Sequence, residues 1–300
     1  MNDYIQVYEY EKNVNPPLTK NPITRVNIDN CEYGITVVDF SDVFRVEYKA
    51  TSPNLLASFI KIKAGEFIQT KNQGYNNTIN ATSNLFFIID GSCEIIFDED
   101  RLYGSPGDIL IAPMFNSLMI NNIGNVDLCI YYVNDSPLVN YLGNKPVRKL
   151  FKPTVYTEEF LVNKLDTLSN PDNNRKGILL SNKDTEKIGT NTITPVLWAL
   201  YNELPPNTVQ RAHKHNSVAL DLCISCEDSE NIYTLMGEEL DEQGNILNPT
   251  KIPWKTGEMF ITPPGLWHSH NNTGETYAYI LPIQDAGLLL YQRILGINLT

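Results

Sequence analysis

Two stretches of this chain match without a gap at a constant offset. One is GDILIAPMFNSLMINNIG, Gly107 to Gly124; the other is GEMFITPPGLWHSHNNTG, Gly257 to Gly274. Gly107 pairs with Gly257, Pro113 with Pro263, Asn122 with Asn272 and Gly124 with Gly274, so the offset is 150 in a chain of 300 residues. A repeat at half the chain length means two copies of one architecture. The segments upstream agree more loosely, SNLFFIIDGSCEIIF (Ser83–Phe97) with SVALDLCISC (Ser217–Cys226). Both halves consist of short β-branched and aromatic runs broken by Gly, Pro and Asn, the pattern of strands and turns. The expected fold is all-β: two jelly-roll barrels, in which closure removes exposed strand edges. Helical pattern is confined to short pieces. Thr157–Leu168 opens with a capping Thr and two Glu, and Asp285–Gly296 is a second candidate. The expected division is an N-terminal barrel over residues 1–145, a polar connecting segment over 146–190 that contains NPDNNRKG, and a C-terminal barrel over 191–300.

Charge narrows the function classes. The formal net charge of −12 argues against a nucleic-acid partner, which needs a basic footprint, and against polybasic contact with a membrane surface. No run of eighteen apolar residues is present, so no transmembrane helix is expected. The acidic start MNDYIQVYEYEKN has no apolar core, and the five scattered cysteines form an odd set; both point to a cytoplasmic protein with reduced thiols. Cys223 and Cys226 form a lone CxxC whose first member falls in an expected strand, so redox and zinc chemistry are set aside there. The apolar tail GLLLYQRILGI suggests a homo-oligomer.

All four histidines lie in the second half: His213 and His215 in QRAHKHNSVALDL, His268 and His270 in the repeated segment. In the first half Leu118 stands where His268 does and Ile120 where His270 does. Ile79 and Ala81 fall roughly at His213 and His215. Were these imidazoles needed for packing, the first half would need them too. Its interior instead reads as apolar fill, represented by Leu118, Ile120, Phe87 and Ile89. Residues i and i+2 of a strand share a face, so His213 and His215 project together, with Arg211, Ser217, Ala219 and Asp221 in the same parity. Gln210 and Asn216 should face away. His268 follows a turn at Pro263 and Gly265 and can approach the pair from across the barrel. Three neutral imidazoles from two strands make a facial metal site with positions left for water or substrate. Arg211 is a candidate to meet a substrate carboxylate, or else an exposed residue at the mouth. His270 is a candidate hydrogen-bond donor or proton shuttle, or else a solvated imidazole. Asp221 either orients a ligand ring or sits in solvent past a bulge. Trp254 and Trp267 are expected to pack the barrel end.

These motifs resemble the two cupin motifs. The second is the closer: Gly257, five residues, Pro263, one, Gly265, two, His268, three, Asn272. RAHKHNSVAL together with WKTGEMFITPPGLWHSHNN is similar to gentisate 1,2-dioxygenase and its relatives that cleave salicylate or 1-hydroxy-2-naphthoate. The resemblance covers most of both halves. It implies a bicupin, two double-stranded β-helices, holding Fe(II) on His213, His215 and His268, with a small aromatic acid and O₂ as substrates. The carboxylate that most cupins place after the second histidine is replaced by Ala219 or Leu220, which fits the three-histidine subgroup. The gentisate enzymes use the N-terminal barrel for metal, whereas here the ligands are in the C-terminal one. Three neutral ligands leave the full 2+ charge on the metal, which suits a bidentate anion such as a hydroxy-carboxylate ring. The ligand set alone does not separate Fe from Zn, Mn or Ni. The same site therefore also fits a non-redox lyase or isomerase, or a metal- or ligand-binding bicupin without turnover.

Overall fold

A computed structural model describes residues 3–71, 80–169 and 174–300. Among these residues the strands form four antiparallel sheets, two to each half. In the first half a six-stranded sheet runs in the spatial order Thr154–Tyr156, Ile109–Pro113, Ser83–Asp90, Leu128–Asn134, Leu56–Ile62 and Gly34–Val38. Its partner is a four-stranded sheet of Phe67–Lys71, Ser117–Asn122, Cys93–Phe97 and Asp100–Gly104. The second half repeats the plan. Its larger sheet is Arg25–Asn27, Glu258–Thr262, Ala219–Ser225, Ala278–Gln284, Trp198–Leu204 and Lys176–Leu180. Its smaller sheet is built around Ile232–Gly237, Trp267–Asn272 and His213–His215.

The offset of 150 extends beyond the matched segments. Strand Ser117–Asn122 recurs as Trp267–Asn272, and Leu128–Asn134 as Ala278–Gln284. The repeated Asn has a physical reason. Asn122 Nδ2 donates to the carbonyls of Ile62 and Val126 at 3.0 and 2.8 Å, and its Oδ1 accepts from Gly124 N at 3.0 Å. Asn272 does the same with Leu204, Thr276 and Gly274, at 3.0, 2.8 and 3.0 Å. One amide thus closes the turn after the strand and ties it to a strand of the larger sheet, Leu56–Ile62 in one barrel and Trp198–Leu204 in the other, satisfying three backbone groups in each. Both short helices form. Thr157 caps Glu158–Asp166 by accepting from Phe160 N, and Leu161 and Leu165, one turn apart, are buried. Ala286–Gln292 ends at Arg293, which takes a left-handed φ of 62°.

Three apolar clusters show how the halves fit together. One fills the N-terminal barrel with Ile60, Phe86, Ile88, Ile95, Phe97, Phe115, Leu118, Ile120 and Tyr132. A smaller one occupies part of the C-terminal barrel around Met236, Trp254 and Phe260. The largest lies between the two six-stranded sheets, joining Phe59, Leu85, Phe87 and Tyr131 to Leu220, Leu222, Met259 and Leu281. Leu118 and Ile120 are barrel fill as expected. Phe87 and Ile89 are not: they have the opposite parity and pack into the seam between barrels, while Phe86 and Ile88 point inward. A strand buried on both faces carries no alternation to say which face is which. Ile79 lies outside the described residues, as do 170–173 of the connecting segment.

The first half also lends a segment to the second, across the division at 145 and 190. Arg25–Asn27 pairs with Glu258–Thr262 in the second barrel's sheet. From the connecting segment, Thr154–Tyr156 adds an edge to the first barrel and Lys176–Leu180 to the second. No described helix is long and apolar enough to cross a membrane.

Candidate metal centre

Strand pairing assembles the histidines. His213 and His268 are direct cross-strand partners, and each brings its i+2 neighbour onto the same inward face. The His213 and His268 rings are 4.1 Å apart between centroids and those of His215 and His268 4.8 Å. One nitrogen from each of His213, His215 and His268 lies within 4.8 Å of the others.

The surroundings set the tautomers. His215 Nδ1 lies 2.9 Å from the Ser217 carbonyl and 3.0 Å from its hydroxyl, and that hydroxyl donates to Gln284 Oε1 at 2.7 Å. A carbonyl accepts, so Nδ1 carries the proton and Nε2 keeps its lone pair. His268 Nδ1 faces the Leu266 carbonyl at 3.1 Å, with the same result. His213 Nδ1 is buried with no hydrogen-bond partner among the described residues. An orphaned imidazole nitrogen beside two oriented ones fits a divalent metal, and backbone and hydroxyl partners on the distal nitrogens are the usual supports of ligating histidines. Burial, reinforced by the neighbouring imidazoles, pushes His213 down to about 2 and holds His268 well below its ordinary value; burial also lowers His215. All three are therefore neutral at pH 7, the state a ligand needs. His270 stands apart, 6.0 Å from His268 between ring centroids, and burial pushes it down to about 3. Its Nδ1 is 2.8 Å from the Thr234 hydroxyl, which accepts from the Trp254 indole N–H at 2.8 Å.

The four rings open on a cavity of about 150 Å³, whose wall includes Arg175, Asn202, Gln210, Asp221 and Gln284. Asp221 is inside the barrel and 2% exposed, not in solvent past a bulge. Thr262 Oγ1 donates to it at 2.5 Å, and burial pushes its carboxyl up to about 7. Gln210 is also inside rather than turned away: it is buried, and its Nε2 donates to the Asn174 carbonyl at 3.1 Å. The parity argument fails there because the ligand strand begins at His213, and Thr208–Val209 is a separate piece. Arg211 fails for the same reason. Its side chain is exposed and borders a different depression, with Glu242, Ser269 and Asn271. Arg175 lines the cavity in its place, its guanidinium donating to the Arg211 carbonyl at 2.7 Å. Arg175 carries no sequence signal of such a role. It follows NPDNN in a stretch that reads as a linker, and nothing local says that the next strand, Lys176–Leu180, returns to wall the second barrel. Trp254 is fully buried as barrel packing, and Trp267 lies under the Lys214 ammonium at 4.5 Å. Asn216 faces outward, donating to the Ile294 carbonyl. Cys223 and Cys226 are free thiols, the first buried in its strand.

No family model matches this sequence, and no curated protein does. The fold has many solved counterparts. Salicylate 1,2-dioxygenase from Pseudaminobacter salicylatoxidans aligns over 83% of this chain and 76% of its own, at 15% identity and a TM-score of 0.64. The same enzyme in its adduct with gentisate aligns over 94% and 86%, at 13% identity and a TM-score of 0.70. Procruciferin, an 11S globulin from Brassica napus, aligns over 93% and 86%, at 12% identity and a TM-score of 0.58. The chain has the bicupin fold, and its second barrel carries a three-histidine cluster able to hold a metal. At such identities the likeness speaks for architecture, and the inclusion of an 11S globulin shows that this architecture does not dictate one function.

Proposed function

We propose that this protein is an Fe(II)-dependent ring-cleaving dioxygenase acting on a small hydroxylated aromatic carboxylate with O₂. The observation that carries the reading is the neutral three-histidine cluster opening on a partly polar cavity walled by a guanidinium. His213, His215 and His268 would hold the iron, and the iron would supply the path for electrons from ring to oxygen. The chain's own residues do the rest. Arg175 offers guanidinium charge to a carboxylate, the role for which Arg211 was the sequence candidate. Gln210, Asn202 and Gln284 supply neutral polar contacts that orient the ring. His270, kept neutral and held through Nδ1 by Thr234, presents its other nitrogen as a hydrogen-bond donor or acceptor near the reacting oxygens. Asp221, poised near neutrality, exchanges a proton with the substrate hydroxyl as it ionises.

The cavity is about half the size at which sites for drug-sized ligands begin, ~300 Å³. One ring fits this space better than two, so salicylate and gentisate are favoured over 1-hydroxy-2-naphthoate. The test is anaerobic loading with Fe(II), then addition of each acid in air. Loss of aromatic absorbance with one equivalent of O₂ consumed supports ring cleavage. If iron is bound and reduced and no hydroxy-aromatic acid consumes oxygen, the reaction is a different one.

A further inference from the structure

An acidic, aromatic arm and a basic, apolar strip lie exposed on the same chain. From Asp3 to Glu11 the arm reads DYIQVYEYE, with three carboxylates and no cation. Tyr4, Ile5, Val7, Tyr8 and Tyr10 are each between 71% and 94% exposed. Five large apolar side chains within seven residues exceed the scattered exposure that a monomer normally shows. The strip, residues 141–152, reads YLGNKPVRKLFK, with four cations and no acid in a chain whose net charge is −12. Tyr141, Leu142, Val147 and Leu150 along it are between 40% and 91% exposed. Lys149 is bonded to Asp100, and no ion pair among the described residues joins Lys145 or Arg148.

The two surfaces complement each other in both charge and apolarity, yet the arm of one chain leaves its own strip uncovered. Its root explains this. Leu18 and Tyr141 border one groove, so the arm starts beside the strip. There Leu18 N donates to the Pro16 carbonyl at 2.9 Å in a tight turn about Pro17, whose ring fixes its φ. Residues 3–14, before that corner, are all exposed.

We propose that the amino-terminal arm docks on the 141–152 strip of a second copy of this chain, each copy giving one arm and receiving one. Such an exchange is isologous and closes on itself as a dimer. Aromatic side chains fill the apolar part of the interface, and Asp3 and Glu11 meet Lys145 and Arg148 at its rim.

Sedimentation velocity and disulfide trapping on the full chain test this. The protein should sediment as a dimer or a multiple of one at micromolar concentration. Asp3→Lys with Glu11→Lys should shift it toward monomer, as should Lys145→Glu with Arg148→Glu. Mixing the two doubly reversed chains should restore both arm-to-strip contacts, one of native and one of reversed polarity, and give a dimer of mixed composition. A chain carrying Val7→Cys should form a disulfide with a separate chain carrying Val147→Cys. These positions are exposed, so unchanged thermal melts will show that the variants fold. A monomeric wild type, an assembly indifferent to both charge reversals, or Val7→Cys linking to Val147→Cys solely within one doubly substituted chain would each overturn the proposal.

Discussion

Single residues divide into the imidazoles of the cluster, the side chains that line its cavity and those that merely share their sequence neighbourhood. His268 is held on both sides: its ring is fixed by the Leu266 carbonyl and packed between His213 and His215. His268→Ala should reduce bound metal from about one equivalent per chain to near zero by elemental analysis; full retention would remove it from the ligand set. The two arginines give a sharper contrast. Arg175→Ala should weaken binding of an aromatic acid by roughly 2–4 kcal/mol, read as a rise in Kd, whereas Arg211→Ala should leave it within a factor of two or so. The reverse order would restore Arg211 and exclude Arg175. Asp221 supplies a pH signature. Its folded-state carboxyl sits at about 7 against an ordinary 3.8, so between those values the folded chain keeps a proton that the unfolded chain has released. Asp221 should therefore contribute to the metal-free protein a stability slope that falls by up to about 4 kcal/mol as pH rises from 4 through 7, set against the rising slope of the buried, neutral histidines. Asp221→Asn should lack that slope. Parallel pH–stability curves for the two proteins would show that Asp221 does not titrate in this way.

At the scale of strands and turns, what the sequence reveals depends on how local the cause is. The repeated turn was legible because one amide side chain satisfies three backbone groups in each barrel, and few residues replace Asn there. Removing it in either half should cost about 2–4 kcal/mol, since two carbonyls and an N–H lose a partner. Asn122→Ala and Asn272→Ala should therefore lower Tm by similar amounts; a drop confined to one half would mean the turns are not equivalent in energy. The histidine pairs were legible because i, i+2 spacing in a strand forces a shared face. The same rule misled at Gln210 and Arg211, where the extended strand had not yet begun, and at Phe87, where both faces of the strand are buried. Parity gives relative orientation within a strand; it does not locate the end of the strand or say which side is the barrel. The Arg175 wall was invisible for a different reason. It depends on a strand pairing across the connecting segment, and pairing partners leave no mark in local pattern.

Across the whole molecule, the barrel without histidines supports the one that has them. The largest apolar cluster lies between the halves, so each six-stranded sheet needs the other to cover its outer face. A polar clasp reinforces the seam beside the ligand strand. Asn54 from the first half donates to Asp285 at 2.6 Å, and Asp285 accepts from Val218 N at 3.0 Å, next to the Ser217 that orients His215. Asn54→Leu should leave the fold intact and weaken metal binding several-fold in a competition titration; unchanged affinity would show that the clasp is structural alone. The stronger test removes the first half altogether. A fragment beginning at Lys187 loses Arg25–Asn27 and Lys176–Leu180, the two edge strands of its larger sheet. It also loses Arg175 from the cavity wall, and it exposes the face formed by Leu220, Leu222, Met259 and Leu281. An apolar sheet face of that kind associates in water, and unpaired edges recruit further strands. The fragment should therefore aggregate on expression and bind no stoichiometric metal, even though it contains all four histidines. A soluble, monomeric fragment that holds one metal would mean that the second barrel is self-sufficient and that the first has some other purpose.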